Sequence, residues 1–168
     1  LKRDRERSLL RRHPWVFSGA IDKVRGEPGS GDTVALEAHD GRALGIGAWS
    51  PQSNIRVRAW SFAADEAIDE AIDADFFARR IRAAVALRER LVPTAADGAV
   101  RLVHGESDGL PGVVVDRYAD VLVLQTTSAG ARRWRDTLAD TLMRETGARA
   151  LYERSDSDVL EVEGLPPA

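Results

Sequence analysis

Apolar and polar positions repeat with two different periods along this chain, and the change of period divides it. Over residues 55–60, Ile55, Val57 and Ala59 alternate with Arg56, Arg58 and Trp60, the period-two pattern of a half-buried strand. The apolar runs 33–37 and 43–49 flank His39-Asp40-Gly41-Arg42. An Asp-Gly between two such runs predicts a hairpin, because glycine accepts the positive φ that the turn requires. Residues 27–32, Glu-Pro-Gly-Ser-Gly-Asp, read as loop. From about residue 74 the period becomes helical. Ile72, Phe76, Phe77, Ile81, Ala84, Val85 and Leu91 fall largely on one stripe, which predicts a helix over 74–92 with Asp73 or Asp75 as its cap and Pro93 as its stop. Strands are expected at 101–104, 112–118 and 121–126, the last two joined tightly at Ala119-Asp120. Trp134, Leu138 and Leu142 predict a second helix over 130–146, closed by Gly147, and a strand at 149–154 follows. Residues 155–168 show little periodicity.

The pattern predicts a mixed β and α+β chain. A small β-barrel over 1–62 is followed by an acidic, alanine-rich connector at 63–73. An α+β domain with a mixed sheet and two main helices then fills 74–168. Each part is small for a self-sufficient core, so the two are expected to pack together or against something else. Charge sharpens the division. Residues 1–25 hold eight basic side chains and three acidic ones, whereas the whole chain carries −3. A basic end on an acidic body suits contact with a polyanion, or equally a solvated arginine-rich surface. There is no cysteine, which removes disulfides and thiolate chemistry from these residues. No apolar run approaches the roughly 18 residues of a membrane span, and no apolar segment follows the charged start as in a secretory signal. No membrane partner is therefore expected, and the cytoplasm is the default compartment.

Several familiar chemistries lack their residues. Gly45-Ile46-Gly47 is followed by Ser50 where a dinucleotide fingerprint needs a third glycine, and the stretch reads as strand. His13, His39 and His104 are too scattered for a metal site, and no Gly-x-Ser-x-Gly elbow occurs. Two segments stand out. In the first, Arg11-Arg12-His13-Pro14-Trp15-Val16-Phe17, cations run directly into aromatics. Guanidinium groups suit phosphates and exposed rings suit bases, although Val16 and Phe17 read better as core. The second, Val103-His104-Gly105-Glu106-Ser107-Asp108-Gly109-Leu110-Pro111-Gly112, sets two carboxylates beside a histidine. That composition serves acid–base work or a tight structural loop, and Pro111-Gly112 fits the centre of a type II turn.

Longer motifs carry a resemblance. His13-Pro14-Trp15-Val16-Phe17-Ser18-Gly19-Ala20-Ile21, Gly31-Asp32-x-Val34 and Gly45-x-Gly47-x-x-Ser50-Pro51-x-Ser53-x-Ile55-x-x-Arg58 resemble the PUA domain of a bacterial rRNA methyltransferase family. The run from Arg101 to Tyr118, Tyr152-Glu153-Arg154-Ser155-Asp156 and Glu163-Gly164-Leu165 resemble that family's central linking domain. The family is that of the S-adenosylmethionine-dependent large-subunit rRNA cytosine-5 methyltransferases of RlmI-like character. The resemblance implies a PUA-like RNA-binding barrel, rRNA as partner, and a C-terminal methyltransferase domain that would bind S-adenosylmethionine and supply a cysteine nucleophile. These 168 residues contain neither the cofactor's glycine loop nor a cysteine, so no catalytic, cofactor-binding or metal residue is expected here and the polypeptide should be inactive alone. The expected RNA contacts are Lys2, Arg3, Arg5, Arg7, Arg11, Arg12, His13, Trp15, Gly31, Ser53 and Arg56. Glu106, Asp108 and Gly109 are expected to border an active site. The alternative is an assembly module that forms homodimers without RNA affinity of its own.

Overall fold

The computed structural model describes residues 1–62, 72–92, 98–155 and 157–165. Most of the acidic connector, Pro93 and the closing Pro166-Pro167-Ala168 lie outside the described residues. The first module opens with a one-turn helix, α1 (Arg7–Leu10), and holds four strands: β1 (Trp15–Phe17), β2 (Thr33–Glu37), β3 (Ala43–Trp49) and β4 (Ile55–Phe62). They pair antiparallel in the order β1-β4-β3-β2, which leaves β1 and β2 as the edges of the sheet. The β2–β3 hairpin turns where the Asp-Gly pair predicts. The Gly41 amide donates to Ala38 O at 3.1 Å, and Gly41 takes φ +85°. Gly45 and Gly47 lie inside β3, as read from sequence. A Cβ on Gly45 would strike Ser61 O, and one on Gly47 would lie 2.7 Å from Arg58 O, so both glycines let β4 pair closely.

The second module has a four-stranded sheet, β5 (Ala99–His104), β6 (Val113–Tyr118), β7 (Val121–Thr126) and β8 (Ala150–Glu153), in sequence order. β5, β6 and β7 are antiparallel, whereas β8 lies parallel to β7 with Val121 opposite Ala150. A parallel return needs a crossover, and two helices provide it: α3 (Ala129–Arg133) and α4 (Arg135–Thr146). The single expected helix is thus broken at Trp134 (φ −94°, ψ 9°), whose ring packs 5.1 Å from Phe77. The long helix α2 (Ala74–Leu91) starts on Asp73, whose carboxylate accepts the Phe76 amide at 2.9 Å. A short helix, α5 (Ser157–Val162), occupies the stretch that showed no period.

The two modules share a core. β4 sends Val57 and Ala59 into the first module, packed with Leu9, Val16, Leu36 and Leu44. On its other face Trp60 enters the second module, against Phe76 and Phe77. Burying each such aromatic is worth about 1.5–3 kcal/mol. Gly130 at the start of α3 permits this contact, because a Cβ there would strike the Ala48 Cβ and approach the Trp60 ring to 3.0 Å. Among the described residues no helix is long and apolar enough to cross a membrane.

Candidate nucleic-acid interface

The start of the chain builds a cationic, aromatic edge. α1 buries Leu9 and leaves Arg7, Ser8 and Leu10 outward. It stops at Arg12, where the Arg12 amide donates to Leu9 O (2.8 Å) and the His13 amide to Ser8 O (2.9 Å). This arrangement places the stop residue in the left-handed region, usually glycine's place, yet Arg12 holds it at φ +61°. On edge strand β1, Val16 points inward, and Phe17 on the opposite face is 44% exposed. His13, Trp15 and Phe17 form an edge-to-face row, with ring centroids 5.5 and 6.4 Å apart. A hollow of about 230 Å³ beside this row is lined by Arg5, Leu9, Phe17 and Gly19, among others. Lys2 bonds Gly19 O at 2.9 Å, so it stands at the same place. Lys2, Arg3, Arg5, Arg7, Arg11, Arg12 and His13 are all exposed. Arg7 meets Asp4 at 3.2 Å, an exposed pair of little energetic weight. Phe17, read as core, instead offers a ring to solvent.

Two of the residues expected to contact RNA are buried. Gly31 (φ +81°) lies against α3, where a Cβ would sit 2.7 Å from Ala129 O. Its loop is docked on the second module: Asp32 accepts the Gly29 amide at 2.7 Å and pairs with Arg133 at 3.0 Å. Ser53 is 3% exposed, and its hydroxyl accepts the Ile55 amide in the turn before β4. Arg56 is half-buried over the Trp49 ring at 5.7 Å.

The seam between the modules carries the remaining charged groups. Trp15 donates its indole N–H to Glu106 Oε1 at 2.7 Å. Arg58 and Glu163 form a bidentate pair at 3.1 and 2.9 Å, almost wholly buried. Sequence reasoning missed this pair, although the helix stop Glu163-Gly164, with Gly164 at φ +67°, was a readable signal for α5. Asp108 binds Arg88 through both oxygens (2.6 and 2.7 Å) and accepts the His104 amide at 2.6 Å. It therefore staples the loop, and the His104 ring takes no part in these bonds. The Pro111-Gly112 turn forms as read, with the Val113 amide on Leu110 O at 3.0 Å and Gly112 at φ +78°. Between Glu106, Gly109, β4 and α2 lies a cleft of about 320 Å³ whose cations are Arg12 and Arg80.

Other chemistries find no such assembly. Among the described residues no His, Asp and Glu side chains gather as metal ligands. The strand–helix turn of the β7–α3–α4–β8 unit is where a nucleotide-like cofactor would meet a helix N-terminus. Here Ser128 caps that terminus, Glu163 accepts the Ala129 amide at 3.4 Å, and Gly130 is pressed on Trp60. The residues present do not fit S-adenosylmethionine there. Arg42 holds the Asp40 carboxyl below its ordinary range, and Asp116 raises the Arg101 guanidinium.

A family model for a PUA-like domain matches residues 1–62. Proteins named ribosomal RNA large subunit methyltransferase I are similar over nearly the whole chain. The one from Shewanella denitrificans is 57% identical over 99% of this chain, and that from Tolumonas auensis 49% over 98%. In both cases the match covers 41% of the relative. Among solved structures, one described as a SAM-dependent methyltransferase from Streptococcus mutans superposes with TM-score 0.75 at 17% identity, over 90% of this chain and 38% of its own. A methyltransferase solved in complex with SAH gives TM-score 0.77 at 17% identity, over 92% and 39%. These two show the shared fold. By sequence, the chain is similar over nearly its whole length to the ribosomal RNA large subunit methyltransferase I proteins, of whose length it spans about two fifths.

Proposed function

We propose that this chain is the RNA-recognition and linking portion of an S-adenosylmethionine-dependent 23S rRNA cytosine-5 methyltransferase working in the bacterial cytoplasm. Its first module grips structured rRNA. Its second sets the distance between that module and a catalytic domain, which would bring the cofactor and the nucleophile. One observation carries the reading: exposed cations at Lys2, Arg3, Arg5, Arg11 and Arg12 belong to the same N-terminal segment as the aromatic row His13, Trp15 and Phe17, whose His13 and Phe17 rings are exposed, in a chain 57% identical to a protein named as an rRNA methyltransferase. Guanidinium groups neutralise phosphates and release counterions, while the rings offer faces to unstacked bases. Phosphate contacts position an RNA without reading it. Choice and flipping of the target cytosine therefore belong to the catalytic domain.

The test is a salt-titrated binding measurement of this chain with a large-subunit rRNA segment and an unrelated structured RNA. Binding should fall log-linearly with salt. Arg11→Ala with Arg12→Ala should weaken it and flatten the slope by about 1.5, the share of two phosphates. Unchanged affinity across the salt range would overturn the assignment. Absence of binding at low salt would favour the assembly-module reading, which sedimentation at several concentrations then examines.

A further inference from the structure

We propose that the cleft at the seam is a subsite for one ribonucleotide residue of a bound RNA strand, with its phosphate between Arg12 and Arg80. This rests on the RNA-binding reading above and extends the contact surface from the first module onto the second. The cleft holds about 320 Å³, at the lower end of the range for small-ligand sites. Its walls combine apolar surface from Pro14, Phe62 and Pro111 with three convergent charged groups, Arg12, Arg80 and Glu106. Mostly apolar walls with few placed polar groups are what a nucleotide residue needs: a surface for sugar or base, cations for the phosphate, and an acceptor for a hydroxyl or amine.

Two features mark the cations as placed rather than incidental. Arg12 occupies a left-handed backbone position (φ +61°) at which glycine is unstrained, and its side chain nevertheless lines the cleft. Strain of this kind persists where the surroundings or the function demand the side chain. Arg80 projects from α2 with its guanidinium 5.2 Å over the Phe76 ring, which holds the plane of the fork. Gly109 leaves it room: at φ +68° a Cβ there would come within 3.2 Å of the Arg80 Nη1. Glu106 is likewise oriented, because the Trp15 indole holds one of its oxygens at 2.7 Å. The occupant is an RNA strand rather than a free nucleotide because the cleft continues the basic edge. Arg11 and Arg12 are consecutive, and Trp15 of the aromatic row bonds the cleft's own carboxylate.

Fluorescence anisotropy with a labelled RNA stem–loop carrying a single-stranded flank tests the subsite, using the full 168-residue chain. Arg80→Ala should weaken binding about tenfold at low salt and reduce the salt slope by about 0.7. Arg80→Lys, which keeps the charge but not the stacked fork, should restore only part of the loss. Arg82→Ala removes the same charge from the same helix outside the cleft and should change affinity less than about twofold, as a rim charge does. Circular dichroism of each variant confirms the fold. Equal effects of Arg80→Ala and Arg82→Ala on an RNA that the unaltered chain binds tightly would overturn the subsite and leave the RNA reading standing. No binding by the unaltered chain would overturn both. Displacement of the RNA by cytidine 5′-monophosphate at micromolar concentration would overturn the strand as occupant.

Discussion

Two glutamates of the second module reach across the seam to the first, and they end in opposite circumstances. Glu163 is 2% exposed and receives both arms of Arg58, a residue of the central strand β4. Glu106 is half-buried and receives a single neutral N–H from Trp15 on edge strand β1. A buried carboxylate is tolerable only when a cation and further donors replace its water, and Glu163 has these in Arg58 and the Ala129 amide. Glu106 keeps contact with solvent at the cleft and is oriented without being enclosed. The same side chain at one seam is thus a fastening at its closed end and a wall of an open cleft at its other end. Burial and donor count decide which role it takes.

The sharpest way to break this comparison is Glu163→Ala. It leaves Arg58 buried and uncompensated, and should cost about 3–5 kcal/mol in urea denaturation. Replacing the pair together, Arg58→Met with Glu163→Leu, should recover most of that loss, because the desolvation penalty disappears with the attraction. If the single change costs less than 1 kcal/mol, the closed end is not closed in solution. At the open end, Trp15→Phe removes one indole hydrogen bond to a carboxylate that water can still reach. A loss of about 1 kcal/mol is expected in the same assay, so a loss as large as that of Glu163→Ala would erase the distinction. The smallest effect belongs to a carboxylate away from the seam. Asp40 titrates below its ordinary value because Arg42 donates to it. Its contribution is therefore present above the unfolded pKa and is lost as the pH falls through the lower folded one. The group is fully exposed and screened, so Asp40→Asn should leave the denaturation midpoint at neutral pH unchanged.

Local pattern revealed most of the elements. Strands β2, β3 and β7 run over the residues expected for them, and α2 ends at Leu91, one residue before its expected end at 92. Alternation and helical stripes are written by burial against a neighbouring layer, so elements with one buried face leave a readable trace. Elements too short to repeat do not. α1, β1 and α5 each bury one or two side chains, such as Leu9, Val16 and Leu160, and no period can be recognised from so few. The break at Trp134 was hidden for the same reason, since both halves share one buried face. Of the candidate site, the N-terminal cations lie exposed where the sequence sets them, whereas Phe17 reads as core and is exposed. The burial of Gly31 and Ser53 was not legible, because a glycine or serine in a loop motif looks alike whether it faces solvent or a neighbouring element. Nor does any local pattern couple Arg58 to Glu163, 105 residues apart.

That separation has a kinetic side. Contacts between distant positions form late, because the intervening chain must first be ordered. A nascent chain can complete the β2–β3 hairpin and bury Val57 and Ala59 long before residue 163 leaves the ribosome. Until then Arg58 lacks Glu163 as its partner, and this fastening of the two modules waits for α5. The salt link between β4 and the residue after α5 is thus among the last seam contacts to become available as the chain grows. The basic edge of the first module can fold early, whereas its module's buried salt link to the second waits for residue 163.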